Sequence, residues 1–122
     1  FLIKGVDLIQ GDQSDINILN KIIKKYKYFD IIIDDGSHHS KHIIKSFKYL
    51  FDSLKKDSLY IIEDLQTSYI PRYGGSRINL KKQTTSLNFF KSLTDSINYE
   101  VNDKPFFKSL ICSVLFFANL AS

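Results

Sequence analysis

Methionine and tryptophan are absent from the 122 residues, cysteine occurs once and proline twice. A chain that opens on Phe1-Leu2-Ile3 and holds no methionine reads as part of a longer one. The single Cys112 excludes an internal disulfide, and its apolar neighbours suit a buried thiol. No apolar run reaches the roughly 20 residues that a membrane helix needs, and nothing at the start resembles a signal peptide. The stretch from Leu110 to Leu120 is better read as a core strand. No zinc finger, RGG run or RNA-binding signature is present. These absences lead us to expect a cytoplasmic protein with neither nucleic acid nor membrane as partner.

What is present suits a folded domain. Hydrophobic residues make up 43% and charged residues 25%, enough for a core and a solvated surface. We expect one domain over residues 1–122. The net charge of +4 owes much to two lysine groups, Lys21, Lys24, Lys25, Lys27 and Lys41, Lys45, Lys48. Both fall on helix-like stretches, where exposed lysines solvate a face.

Short β-branched runs alternate with helical patterns, the mark of an α/β fold with a mostly parallel sheet and flanking helices. Gly5 to Gln10 is predicted as a first strand. A helix capped by Ser14 or Asp15 follows, with Leu19, Ile22, Ile23 and Tyr26 on its apolar face. Phe29 to Asp34 holds Ile31-Ile32-Ile33, a run expected of a strand covered on both faces. Ser40 is the expected cap of the next helix, with Ile43, Ile44, Phe47, Leu50, Phe51 and Leu54 on one stripe. Leu59 to Ile62 is predicted as a strand, and Leu65 to Asn79 as a long loop of the kind that covers sites. A helix over Thr84 to Ile97 would turn Leu87, Phe90 and Leu93 inward. Tyr99 to Leu120 would form two antiparallel strands split at Asn102-Asp103-Lys104-Pro105.

Ligands of open parallel sheets bind beyond the carboxyl ends of the strands. Three polar clusters are predicted at that edge: Gly11-Asp12-Gln13-Ser14-Asp15, Asp34-Asp35-Gly36-Ser37-His38 and Glu63-Asp64. If the last two strands are neighbours, Asp35, Glu63 and Asp64 converge, and a hard cation such as Mg²⁺ relieves their repulsion. His38 is close enough in sequence to take a proton from a coordinated hydroxyl. Each cluster also has a plain reading as a turn former or helix cap. His38 and His42, four apart, have a spacing that zinc also uses.

Together these words resemble the macrocin/mycinamicin-type sugar O-methyltransferases. The resemblance is carried by Gly11-Asp12-Gln13-Ser14-Asp15, by Asp34-Asp35-Gly36-Ser37-His38, and by Glu63-Asp64 placed 28 residues after Asp35. It continues through Ile62-Glu63-Asp64-Leu65-Gln66-Thr67-Ser68-Tyr69 to Tyr73-Gly74-Gly75 and covers roughly positions 5 to 76. It implies a Rossmann-like class I methyltransferase fold that uses S-adenosyl-L-methionine and Mg²⁺. The metal ligands would be Asp35, Glu63 and Asp64, and the general base His38. Asp12 would contact the adenine end of the cofactor with Gln13 or Ser14 nearby, and Asp34 would line its pocket. Tyr69 and Gly74-Gly75 would cover a small-molecule, sugar-containing acceptor; a homo-oligomer is compatible with the resemblance.

The chain departs from that family in two ways. The glycine-rich turn after the first strand and the acidic residue ending the second are missing, so the N-terminal part of the fold is expected to be absent. Leu115-Phe116-Phe117-Ala118-Asn119 also stands where a more polar strand belongs. The first functional expectation is methyl transfer to a sugar hydroxyl of a glycosylated metabolite or glycan. Two alternatives stay open: a truncated, inactive remnant acting as a binding module, and a metal-dependent phosphoryl-transfer or receiver-like domain.

Overall fold

The computed structural model describes residues 4–99 and 114–116, with side chains up to position 96. Elements follow in the order α1 (Ile16–Tyr26), β1 (Phe29–Asp34), α2 (Ser40–Leu50), β2 (Leu54–Ile62), α3 (Ser86–Tyr99) and β3 (Val114–Phe116). Short 3₁₀ turns occupy Phe51–Ser53, Leu65–Tyr69 and Pro71–Tyr73. The sheet has the order β1-β2-β3, and both pairings are parallel. Parallel strands need crossover connections, which α2 supplies between β1 and β2.

The predicted strand over Gly5 to Gln10 is not formed. Strands persist through ladder partners, and this segment has none among the described residues. Its Val6 and Leu8 are 55% and 88% exposed. Asp15, the second of the two expected caps, does cap α1, its carboxylate accepting from Asn17 N–H at 2.8 Å. Leu19 is buried, Ile22 and Ile23 are half-buried, and Tyr26 is exposed. The lysines of the last turn face solvent, and Lys25 pairs with Asp7 at 2.8 Å.

Strand β1 has the expected bounds, but among the described residues only one of its faces is covered. The period of two sends Ile32 and Asp34 to the helix side and Ile31 and Ile33 to the other. Ile31 and Ile33 are consequently 55% and 59% exposed. Strand β2 begins earlier than predicted because its polar lead, Lys55-Lys56-Asp57-Ser58, is an irregular extension. The register shifts between Phe29 and Ile31, and Asp57 is left-handed with φ +62°. Lys55 Nζ secures this end to Asp30 at 2.8 Å.

Ser40 is not the cap of α2. His39 holds that place without a side-chain bond, and Ser40 is the first helical residue, fully buried 3.5 Å from Ser86 Oγ. A small hydroxyl is needed there because α2 and α3 begin side by side. Leu54 leaves the expected helical stripe, since α2 ends at Leu50 and Leu54 opens β2. The segment Leu65 to Asn79 is not featureless, containing two 3₁₀ turns. Helix α3 starts two residues later than predicted, with Thr85 Oγ1 accepting from Asn88 N–H at 3.3 Å. Val114–Phe116 is a strand parallel to β2. Cys112 and most of the expected antiparallel pair lie outside the described residues.

The core lies between the sheet and the pair α2 and α3. It comprises Ile43, Phe47, Tyr60, Ile62, Leu65 and Phe90, flanked by Ile32, Leu50, Phe51, Leu54, Phe89 and Leu93. Phe47 is its hub, with ring centroids 4.8 Å from Phe51, 5.2 Å from Tyr60 and 4.9 Å from Phe90. The Phe90 contact is edge-on at 90°, the arrangement that ring quadrupoles favour. Phe47→Ala is expected to cost about 3–5 kcal/mol in denaturant unfolding. The Tyr60 hydroxyl is buried without a hydrogen-bond partner among the described residues, and burial pushes its pKa far above the ordinary tyrosine value. Tyr60→Phe is therefore expected to raise the unfolding free energy of the ligand-free chain by about 1 kcal/mol. A loss of stability would show that the hydroxyl is satisfied in solution.

Candidate functional site

The site begins with the register of the two longer strands. Asp34 pairs with Ile62 at the last step of the parallel ladder, and Glu63 N–H donates to Asp34 O at 3.0 Å. The two polar segments that follow, 35–38 and 63–64, therefore leave the sheet side by side. Each then turns sharply through a left-handed residue, His38 with φ +55° and Asp64 with φ +55°. Such a conformation costs a non-glycine residue about 1–2 kcal/mol and must be held by its surroundings.

Thr67 provides one hold. Its Oγ1 lies 2.7 Å from Asp64 O and 3.0 Å from His38 O, within donating distance of both carbonyls. The side chains of Asp35, His38 and Asp64 consequently converge, offering ligand atoms all within 4.8 Å of one another. His38 Nε2 stands 3.9 Å from Asp35 Oδ1 and 3.7 Å from Asp64 Oδ2. Both distances exceed those of direct hydrogen bonds, which leaves the imidazole between two carboxylates without closing on either. Asp64 Oδ1 accepts from Gln66 Nε2 at 2.9 Å, while Asp35 is the most exposed of the three.

Glu63 is not a member of this group. It still takes part in the β1–β2 ladder through its N–H, whereas Asp64 turns out of it, so the two side chains leave the backbone in different directions. Tyr73 presents its ring edge-on to His38, with centroids 6.4 Å apart, and Arg72 stacks on Tyr73. Among the described aromatics it is this residue, rather than Tyr69, that meets the imidazole. Gly74, with φ +81°, packs on His39; a Cβ there would sit 3.0 Å from His39 Cε1. A Cβ on Gly75 would collide with Ser68 O. The paired glycines thus let the loop after Tyr73 fold back closely, and Lys82 Nζ secures it at Gly74 O, 2.9 Å away.

Beside this group lies a cleft of about 380 Å³ between α1, β1 and α2. Ile9, Ile18, Ile22, Ile32 and Leu50 give it apolar walls, and Gln13, Asp34, Ser46 and Tyr60 add polar ones. Asp34 is 8% exposed; its Oδ1 accepts from Gln13 Nε2 at 2.9 Å, and its Oδ2 has no partner. Burial raises the Asp34 pKa above the usual carboxylate range, against the opposing pull of the Gln13 bond. Asp34 Oδ2 and the Tyr60 hydroxyl are both buried without partners among the described residues, and both residues line the cleft. Buried polar atoms left unsatisfied by protein suit a bound polar ligand.

Of the residues expected at the cofactor, Gln13 and Asp34 line this cleft. Asp12 is exposed and turns its Oδ1 onto Ser14 N–H at 2.7 Å, a bond that holds its carboxyl below the ordinary range. His42 bonds Ser37 Oγ at 2.9 Å and stacks on His39 with ring centroids 5.0 Å apart, not on His38. The zinc-like spacing of His38 and His42 therefore brings no pair together. Burial holds the His39 pKa below its usual value.

Thr67, Tyr60 and Ser46 were not singled out in the sequence. A lone hydroxyl gives no pattern of its own, and Thr67 stood in the word from Ile62 to Tyr69 without a role of its own. No helix among the described residues is long and apolar enough to cross a membrane.

No family model matches the chain. It is 45% identical over 92 residues to the mycinamicin VI 2''-O-methyltransferase of Micromonospora griseorubida, a match covering 75% of this chain and 23% of that protein. To demethylmacrocin O-methyltransferase of Streptomyces fradiae it is 42% identical over 95 residues, covering 78% and 24%. The solved structure of MycE methyltransferase from the mycinamycin biosynthetic pathway, in complex with Mg, SAH and mycinamycin VI, superposes with a TM-score of 0.69 at 46% identity. That match covers 74% of this chain and 25% of that one. The chain thus spans about a quarter of the length of the relatives it matches. Over that quarter it is similar to the macrocin- and mycinamicin-type sugar O-methyltransferases, and its parallel sheet and flanking helices match part of a Rossmann-like fold.

Proposed function

We propose that this chain carries the metal-holding part of an S-adenosyl-L-methionine-dependent O-methyltransferase that acts on a sugar hydroxyl of a small glycosylated molecule. The observation that carries the proposal is the convergence of Asp35, His38 and Asp64 beside a cleft with two unsatisfied polar atoms. Relatives named as O-methyltransferases of glycosylated antibiotics, and a solved relative holding Mg and SAH, support it.

The donor set fits a hard cation: two carboxylates from adjacent strand ends, with oxygens accessible to solvent. Asp35 and Asp64 would hold Mg²⁺, with Glu63 outside the gathered group. The cleft offers the cofactor polar groups at Asp34 and Tyr60 and apolar walls at Ile32 and Leu50. When bound, Mg²⁺ makes a coordinated hydroxyl more acidic and S-adenosyl-L-methionine provides the methyl group.

The chain's own residues then have separate tasks. Asp35 and Asp64 orient the acceptor end of the site by fixing where positive charge can sit. His38 takes the hydroxyl proton at an imidazole nitrogen that neither carboxylate occupies as a close partner. Tyr73 shields one side of that imidazole. Positioning and charge placement, rather than covalent chemistry, are the protein's contribution.

Calorimetric titration with Mg²⁺, and then with S-adenosylhomocysteine, tests the binding part of this reading. Asp35→Ala and Asp64→Ala should abolish Mg²⁺ binding, whereas Glu63→Ala should keep most of it. Equal losses at Glu63 and Asp64 would put Glu63 among the ligands. His38→Ala is expected to leave Mg²⁺ affinity nearly intact while slowing methyl transfer by about 10²–10⁴-fold. Loss of Mg²⁺ binding in that variant would make His38 a ligand instead of the base.

A further inference from the structure

Gln13 spends its side-chain amide on the protein. Its Nε2 donates to Asp34 Oδ1 at 2.9 Å and to Ser46 Oγ at 3.1 Å, and its Oε1 accepts from the Ser37 backbone N–H. Both amide hydrogens and one oxygen lone pair are thereby committed, which leaves little for a ligand. The partners are 21, 33 and 24 residues away in sequence. They sit at the end of β1, inside α2 and in the turn between them. Ser46 Oγ also contacts Gln13 O at 3.2 Å and His42 O at 2.8 Å, securing the Gln13 backbone to α2.

Gly36 gives an independent sign of the same contact. A Cβ at this position would collide with Gln13 Oε1 and lie 2.8 Å from its Cδ. Gly36 is not among the glycines with positive φ, which are Gly5 and Gly74. It is the close approach of Gln13, not the local backbone, that leaves no room for a side chain. The Ser37 N–H that Gln13 takes lies immediately before the left-handed His38, where the turn most needs an external hold.

The geometry points to Gln13 as the positioning residue of the turn from Asp35 to His38: by holding Asp34 on one side and Ser37 N–H on the other, it sets where Asp35 and His38 stand opposite Asp64. Its consequence for metal binding rests on the proposed function above; its consequence for the turn does not. Gln13→Met keeps the length and apolar stem while removing all three side-chain bonds. Gly36→Ala leaves the amide intact but displaces it.

The test uses the ¹⁵N-labelled chain, with amide hydrogen exchange at Ser37, calorimetric Mn²⁺ affinity, and circular dichroism to verify folding. In the wild type, Ser37 N–H is expected to be protected. In both variants it should be released, and Mn²⁺ affinity should fall by about 10-fold or more, as for partners that orient metal ligands. Adding Gly36→Ala to Gln13→Ala should cost little further, because the colliding atom is already gone. Should Gln13→Met fail to fold, Gly36→Ala decides the same question.

Protection of Ser37 in Gln13→Met equal to that in the wild type overturns the inference. So does unchanged Mn²⁺ affinity alongside a released amide, or fully additive losses in the double variant. A wild type that binds no Mn²⁺ overturns the metal reading instead. The Ser37 amide then decides the positioning role: protection confined to the wild type supports it, and any other pattern overturns it.

Discussion

The parallel pairing of β1 with β2 is the constraint on which the rest depends. A parallel ladder brings the carboxyl ends of both strands to one edge, and the Asp34↔Ile62 register makes their exits level. A slip of one residue would exchange the faces of β2 and carry Tyr60 and Ile62 out of the core. It would also separate the two turns that carry Asp35, His38 and Asp64. The site's geometry thus depends on the burial that fixes the faces: Tyr60 at 0% and Ile62 at 1% exposure exclude a slip of one residue.

Buried polar seams then fix the turns, where apolar packing has no directional preference. Ser40, Ser86 and Ser68 form a buried hydroxyl chain, with Ser68 Oγ 2.9 Å from Ser86 Oγ, binding the starts of α2 and α3 to the segment after Asp64. Thr67 links the backbones of His38 and Asp64, and Gln13 links α1's approach to β1 and α2. Each bond is worth only about 1 kcal/mol net. Together they hold two left-handed residues that an isolated peptide would not keep.

The same edge separates two chemistries. Toward solvent, Asp35 and Asp64 remain accessible and gather around an imidazole. Toward the sheet, Asp34 is buried with one oxygen unpartnered, and burial raises its pKa. Consecutive aspartates thus meet opposite environments because one belongs to the strand and the next to the turn. Water screens the outer carboxylate, while the inner one relies on hydrogen bonds from the Gln13 amide and the Gly36 backbone.

The sequence by itself determined the helices α1 to α3, the strand Phe29–Asp34 and the polar clusters that follow the apolar runs, and it narrowed the α1 cap to Ser14 or Asp15. These follow from local rules: period, capping chemistry and the position of polar residues after apolar runs. The family resemblance was legible for the same reason, since its words are contiguous. Only the tertiary structure decided that His38 joins Asp35 and Asp64 while Glu63 stands aside, because backbone turns, not composition, aim neighbouring side chains. It also decided that, among the described residues, Gly5 to Gln10 is unpaired and Ile31 and Ile33 are exposed, since strand pairing and face coverage are supplied by other segments. Gln13 shows the division most clearly. Its place in a glycine-aspartate word was visible, but its three partners lie more than 20 residues away, and only the fold brings them together.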